Sequence, residues 1–198
     1  MRSRFLDDRE VCAVRAVLTA REWLPFWIAL ETGLRIGDVA KLRWRDVSGN
    51  AIRYVAQKTG KAGVAVVSDD LKRSLLAERR VNRSEWLFPS SRKVGEHITR
   101  QNLWKRLKRA CARAGVNPEG FSPHSFRKVY GVKEYHRHGL RAAQAALQHS
   151  DISTTELYAL ADWLSGENAD EPIRRSEMGL VLRLICEWLG FSADEPRT

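Results

Sequence analysis

The sequence predicts a mostly helical α+β fold with one small, three-stranded antiparallel sheet. Two observations carry that expectation. Apolar residues recur at helical spacing in the long segments, which are bounded by helix-starting and helix-stopping residues. Between these segments, residues 43–67 break into three short extended runs separated by turn-forming clusters.

Asp7-x-x-Glu10 has the form of a capping box and opens a first helix that runs to about Thr19. A second helix covers 21–32, with Pro25 in its first turn, Leu24, Trp27, Ile28 and Leu30 on its buried face, and Gly33 as its stop. A short helix at 36–42 follows. Strands fall at 43–47, 51–56 and 63–67, joined by Ser48-Gly49-Asn50 and by Lys58-Thr59-Gly60-Lys61. Residues 69–80 read as helix, and 85–88 as an extended piece before Pro89. Thr99 caps a long helix to Ala114 with an apolar stripe of Leu103, Leu107, Ala110 and Ala114, stopped by Gly115. Helices at 124–138, 140–147 and 153–161 complete a domain spanning 1–165. Residues 166–198 form an acidic linker and a last helix at 173–189, with Leu180, Val181, Leu184, Ile185 and Trp188 on one side.

Composition excludes several classes. With 198 residues, 43% hydrophobic and 29% charged, the chain suits an ordinary globular protein with one buried core. No stretch approaches the roughly 20 apolar residues of a membrane helix, and the N-terminus has no apolar signal core, so a cytoplasmic protein is expected. Cys12, Cys111 and Cys186 are odd in number and widely spaced, so all three read as reduced, buried thiols. The net charge is +10, with a net −3 over residues 166–198, so residues 1–165 carry +13. Such a cationic body attracts polyanions.

Four short stretches carry chemistry. Arg35, in Thr32-Gly33-Leu34-Arg35-Ile36-Gly37-Asp38, stands at a tight helix junction, where it can grip phosphate oxygens or pair with Asp38 or Glu31. Lys58 sits at a hairpin tip, with Lys61 as its rival. In His124-Ser125-Phe126-Arg127, His124 and Arg127 are three apart on a helix start and face the same way, which suits an anion between them. Leu147-Gln148-His149-Ser150 is followed by Tyr158, nine residues after His149. His136 and His138 point apart on a helix, and no other metal-ligand spacing occurs, so neither a metal nor a cofactor is expected.

In this order and spacing the four stretches, over roughly 5–162, resemble the catalytic domain of the tyrosine recombinase (phage integrase) family. The resemblance implies that fold, and site-specific cleavage and rejoining of double-stranded DNA through a 3′-phosphotyrosyl intermediate. It assigns Arg35 and Arg127 to the scissile phosphate, Asp38 to supporting Arg35, Lys58 to protonating the departing 5′ oxygen, His124 to acid–base work and Tyr158 to nucleophilic attack. Gln148 replaces the family's commoner Gly before His149, a departure at the backbone of that site.

The helix at 99–114 carries Arg100, Lys105, Arg106, Lys108, Arg109 and Arg113, which with Lys61 form either a DNA-binding face or a solvated one. The family's N-terminal core-binding domain is expected to be absent, because the pattern begins within ten residues of Met1. The last helix packs either on a neighbouring protomer, closing a homotetramer on DNA, or on its own domain. Relaxation of the type IB topoisomerase kind and a non-catalytic DNA-binding protein of the same fold are the alternative functions.

Overall fold

The computed structural model describes residues 8–147. Asp7, the helices expected at 153–161 and 173–189, the acidic linker and Cys186 lie outside the described residues. Within them the order is α1 (Asp8–Ala16), α2 (Ala20–Thr32), α3 (Ile36–Ala40), a 3₁₀ turn (Trp44–Asp46), β1 (Val47–Ser48), β2 (Ala51–Val55), β3 (Ala62–Val66), α4 (Asp69–Val81), α5 (Arg100–Ala114), α6 (Pro123–His138) and α7 (Leu140–Ala146).

Local chemistry sets the boundaries. Thr19 does not end the first helix but caps the second. Its hydroxyl accepts the Glu22 N–H at 3.3 Å, and the Glu22 carboxylate accepts the Thr19 N–H at 3.1 Å. The earlier start places Pro25 in the second turn of α2 rather than the first, where its missing N–H costs one helical hydrogen bond. Gly33 ends α2 at φ 64° and donates its N–H to Ala29 at 3.0 Å. The strand expected at 43–47 is mostly a turn. Asp46 accepts the Arg43 N–H at 2.8 Å and closes a 3₁₀ helix, which leaves β1 only Val47–Ser48. The sheet runs β1-β2-β3, antiparallel, with Ser48 opposite Ala51 and Val55 opposite Ala62.

The core lies between α2, α5 and α6. Phe126 of α6 is fully buried with Phe26 at 5.4 Å, Trp23 at 5.8 Å and Phe121 at 5.9 Å between ring centroids. Burial of such a ring contributes about 1.5–3 kcal/mol, and its aromatic pairs add to that. On α5 the buried stripe is Leu103, Leu107, Ala110 and Cys111, with Ala114 at its edge. Cys111 is therefore buried, whereas Cys12 is exposed, against expectation, because it falls on the outer side of α1. Among the described residues no helix is long and apolar enough to cross a membrane.

Candidate active site

Arg35 occupies the N-cap of α3 in extended backbone, and its carbonyl accepts from Asp38 N at 2.8 Å and Val39 N at 3.0 Å. Gly33 ends one helix two residues before the next begins, so the Arg35 side chain leaves from a fixed corner. One turn on, Asp38 is buried. Its Oδ1 accepts the backbone N–H of Gln57 at 3.2 Å, and its Oδ2 is buried without a hydrogen bond.

Gln57 opens the turn between β2 and β3. Ala56 closes that turn by donating to Lys61 O at 2.9 Å and accepting from Gly60 N at 2.7 Å, with Gly60 at φ 67°. Lys58 projects from the tip, exposed to solvent. The Asp38 bond thus ties the root of the hairpin to the helix that carries Arg35.

Ser122 caps α6 by accepting the His124 N–H at 3.2 Å, Pro123 supplies the first helical residue, and Ser125 Oγ accepts the Ser122 N–H at 3.2 Å. With Phe126 locked in the core, Arg127 is buried at 4% exposure, and its guanidinium donates to the carbonyls of Gly33 and Leu147. His124 lies one turn before it at the cleft wall. Partial burial, then the positive charges of Arg127, Lys128, Arg35 and Lys58, push its pKa from 6.5 down to about 4. The ring keeps an open edge to solvent. At neutral pH it is uncharged and able to accept a proton.

Arg35, Asp38, Lys58, His124 and Arg127 line one cleft of ≈ 960 Å³. Lys41 and Arg100 join them, so five Lys or Arg side chains face one carboxylate. That imbalance favours an anion, and the two arginines, one fixed at a helix junction and one held in the core, suit its oxygens. His149 and Tyr158 lie outside the described residues. Among the described residues no cluster of His, Cys, Asp and Glu could hold a metal ion.

The cations of α5 divide. Arg100 faces the cleft beside Gln101 and Trp104. Lys108 lies over the Trp104 ring, 4.4 Å from its centroid. Arg113 instead donates to Val17 O at 2.5 Å, and with Arg106 it helps to lower the pKa of Glu22, so both look toward α1 and α2. Arg109 Nε reaches Lys105 O at 3.4 Å along the helix surface. Lys61 is exposed at the hairpin and is not among the residues that line the cleft.

Sequence reasoning missed three residues near the site. His97 and Trp104 line the cleft. Their only signal is position, two before Thr99 and five after it. Tyr130 is half-buried against Gly33, behind the Arg35 corner. Burial first, then Glu134 and Tyr54, raise its pKa to about 12.

A small α+β domain with this cleft has the charge and geometry to take a phosphate group. A profile of the phage integrase family matches residues 9–163, and the chain belongs to that family. It is 32% identical over 177 residues to the tyrosine recombinase XerD of Vibrio cholerae serotype O1, covering 79% of this chain and 57% of that protein. It is also 32% identical over 145 residues to XerD of Rickettsia bellii, covering 64% of this chain and 47% of that protein. The chain therefore spans about half the length of these relatives. The fold resembles the XerH site-specific recombinase in a post-cleavage complex with its palindromic difH substrate, at TM-score 0.69 and 22% identity over 85% of this chain and 53% of that one. It also resembles a lambda integrase dimer bound to a COC′ core site, at TM-score 0.68 and 20% identity over 88% of this chain and 51% of that one.

Proposed function

We propose that this chain cuts and rejoins double-stranded DNA at specific sites through a covalent phosphotyrosine. The observation that supports this reading is the meeting of Arg35, Lys58, His124 and Arg127 in one cleft beside Asp38. Arg35 and Arg127 take the nonbridging oxygens of the scissile phosphate. The Tyr158 oxygen attacks phosphorus, the P–O5′ bond breaks, and a 3′-phosphotyrosyl link remains. A free tyrosine, with a pKa of roughly 10, attacks poorly, so its proton needs an acceptor. Neutral His124 suits that role, with His149 as the second imidazole. Lys58 gives its proton to the departing 5′ oxygen. The two guanidiniums offset the charge that builds at phosphorus, and each such fixed donor contributes roughly 10²–10³ in rate.

The bond energy stays in the phosphotyrosyl ester, so a different 5′ hydroxyl reverses the step and joins a new strand. No cofactor takes part. Residues 1–165 act as the catalytic domain, and the segment at 166–198 links protomers in a homotetramer on DNA. A lambda integrase tetramer bound to a Holliday junction has the same fold as this chain, at TM-score 0.65 and 20% identity, covering 77% of this chain and 48% of that one.

The test is incubation with nicked suicide duplexes selected for binding to the protein. A covalent protein–DNA adduct is expected that Tyr158→Phe abolishes. Tight binding with no adduct from the unaltered chain would leave only the non-catalytic alternative.

A further inference from the structure

His97 stands one residue before the cap of α5 and lines the cleft, yet it lies outside the motifs that carry the proposed chemistry. Its backbone is fixed by an antiparallel bridge to Pro89, flanked by hydrogen bonds from Ile98 N to Phe88 O at 2.7 Å and from Ser90 N to Glu96 O at 2.8 Å. Its ring is fixed as well. Nδ1 meets the Ile98 carbonyl at 2.7 Å, and because a carbonyl only accepts, that nitrogen carries the proton. The ring packs edge-on against Trp86 at 5.0 Å, and Trp86 is held by its own Nε1–H on Gly95 O at 2.8 Å and by the Arg43 guanidinium stacked 4.2 Å from its centroid. Nδ1 is thereby committed, and among the described residues no hydrogen bond is made by Nε2.

We propose that His97 is a further DNA-contacting residue of this cleft, with Nε2 donating to a backbone phosphate beside the one that reacts. The inference rests on the DNA-cleaving function proposed above. Two independent features favour a phosphate. The ring stands at the N-terminus of a 15-residue helix whose first turn contains no acid, so the positive end of that helix lies beside it. The charged groups that share the cleft with it are Arg35, Lys41, Lys58, Arg100, Arg127 and, across from them, Asp38. His124 is the other imidazole there. Nearby, Glu96 is paired with Lys93 at 3.3 Å and Glu85 with Arg43 at 3.1 Å, so neither supplies the counter-charge. Since Nδ1 already spends its proton on Ile98, a bond from Nε2 to phosphate needs a second proton on the ring.

Amide side chains separate the two ends of the ring. In His97→Asn the amide nitrogen falls near Nδ1 and keeps the tether, but nothing reaches the DNA. In His97→Gln the amide nitrogen falls near Nε2 and keeps the contact. Affinity for the selected duplexes, measured against salt at pH 6, is expected to drop about fivefold at 0.1 M salt in His97→Asn. The slope of log K against log salt should shrink by about 1 in the same variant. His97→Gln should retain most of the affinity, and both variants should unfold at the temperature of the unaltered protein. Unchanged affinity and slope in His97→Asn would overturn the assignment while leaving the proposed function standing. Failure of the unaltered protein to bind any duplex would overturn the proposed function, and this contact with it.

Discussion

The buried carboxylate of Asp38 and the backbone N–H of Gln57 join two elements 19 residues apart, at 3.2 Å. This bond, made next to Lys58, ties the hairpin to the helix behind Arg35. Asp38→Ala should free the hairpin root, giving faster amide exchange at Gln57 and adduct formation slowed by about tenfold or more. Asp38→Asn keeps an acceptor and should keep the slow exchange. Equal exchange at Gln57 in the alanine variant would show that the tether holds nothing.

Arg127 bridges the carbonyls of Gly33 and Leu147 from within the core. A lysine at this position reaches only one of them with its single nitrogen. Arg127→Lys is therefore expected to lose roughly 2–4 kcal/mol in denaturant unfolding, along with roughly 10²–10³ in adduct formation. A stable but inactive variant would assign Arg127 to phosphate alone.

Gly33 is required twice over. Its φ of 64° is left-handed, and an added Cβ would lie 2.3 Å from Cδ1 of Tyr130, well inside contact distance. Gly33→Ala should destabilise by at least about 1–2 kcal/mol from the backbone alone, plus the clash. Adding Tyr130→Ala should recover the second part only, which a double-mutant cycle reads directly.

His124 gives a pH signature. Its pKa of about 4 lies below the ordinary 6.5, so between these values the unfolded chain binds more protons than the folded one. Its contribution to stability is therefore whole above pH 6.5 and declines as the pH falls toward 4. Melting temperatures from pH 4 to 7 should rise with pH in the unaltered protein and rise less in His124→Asn. Parallel curves would mean that the ring does not feel its cationic neighbours.

The split of α5 predicts unequal DNA contacts. Arg100→Ala should weaken binding and reduce its salt dependence by about one ion, because that side chain faces the cleft. Arg113→Ala should do neither, since its guanidinium is committed to Val17 O at 2.5 Å. It should cost stability instead.

Much of this arrangement was legible in the residues, and the failures have physical reasons. The long helices carry an apolar stripe that one buried face explains, as Leu103 and Leu107 show. Arg35, Asp38, Lys58, His124 and Arg127 are singled out in the sequence by a family pattern, and each sits at a helix start or hairpin tip where local sequence dictates backbone; that they line one cleft is visible only in the fold. Residues 43–46 look extended in the sequence, but the deciding bond, the Arg43 N–H on the Asp46 carboxylate, closes a turn. In the sequence Thr19 looks like a helix end, because a cap is recognised only with its partner, Glu22. The division of the α5 cations and the placement of His97 depend on which neighbour packs where, and helical spacing contains no such information.

The hold of Arg127 on the Leu147 carbonyl has a mechanical consequence. Leu147 precedes Tyr158, the nucleophile of the proposed reaction, by 11 residues, so the core fixes one end of the leash between them. Fully stretched, a leash of that length spans no more than about 40 Å, and any coiling shortens it. On the proposed mechanism, the residue that holds the phosphate then also fixes one end of the chain leading to the nucleophile, and loss of that anchor would disarm an otherwise complete set of groups.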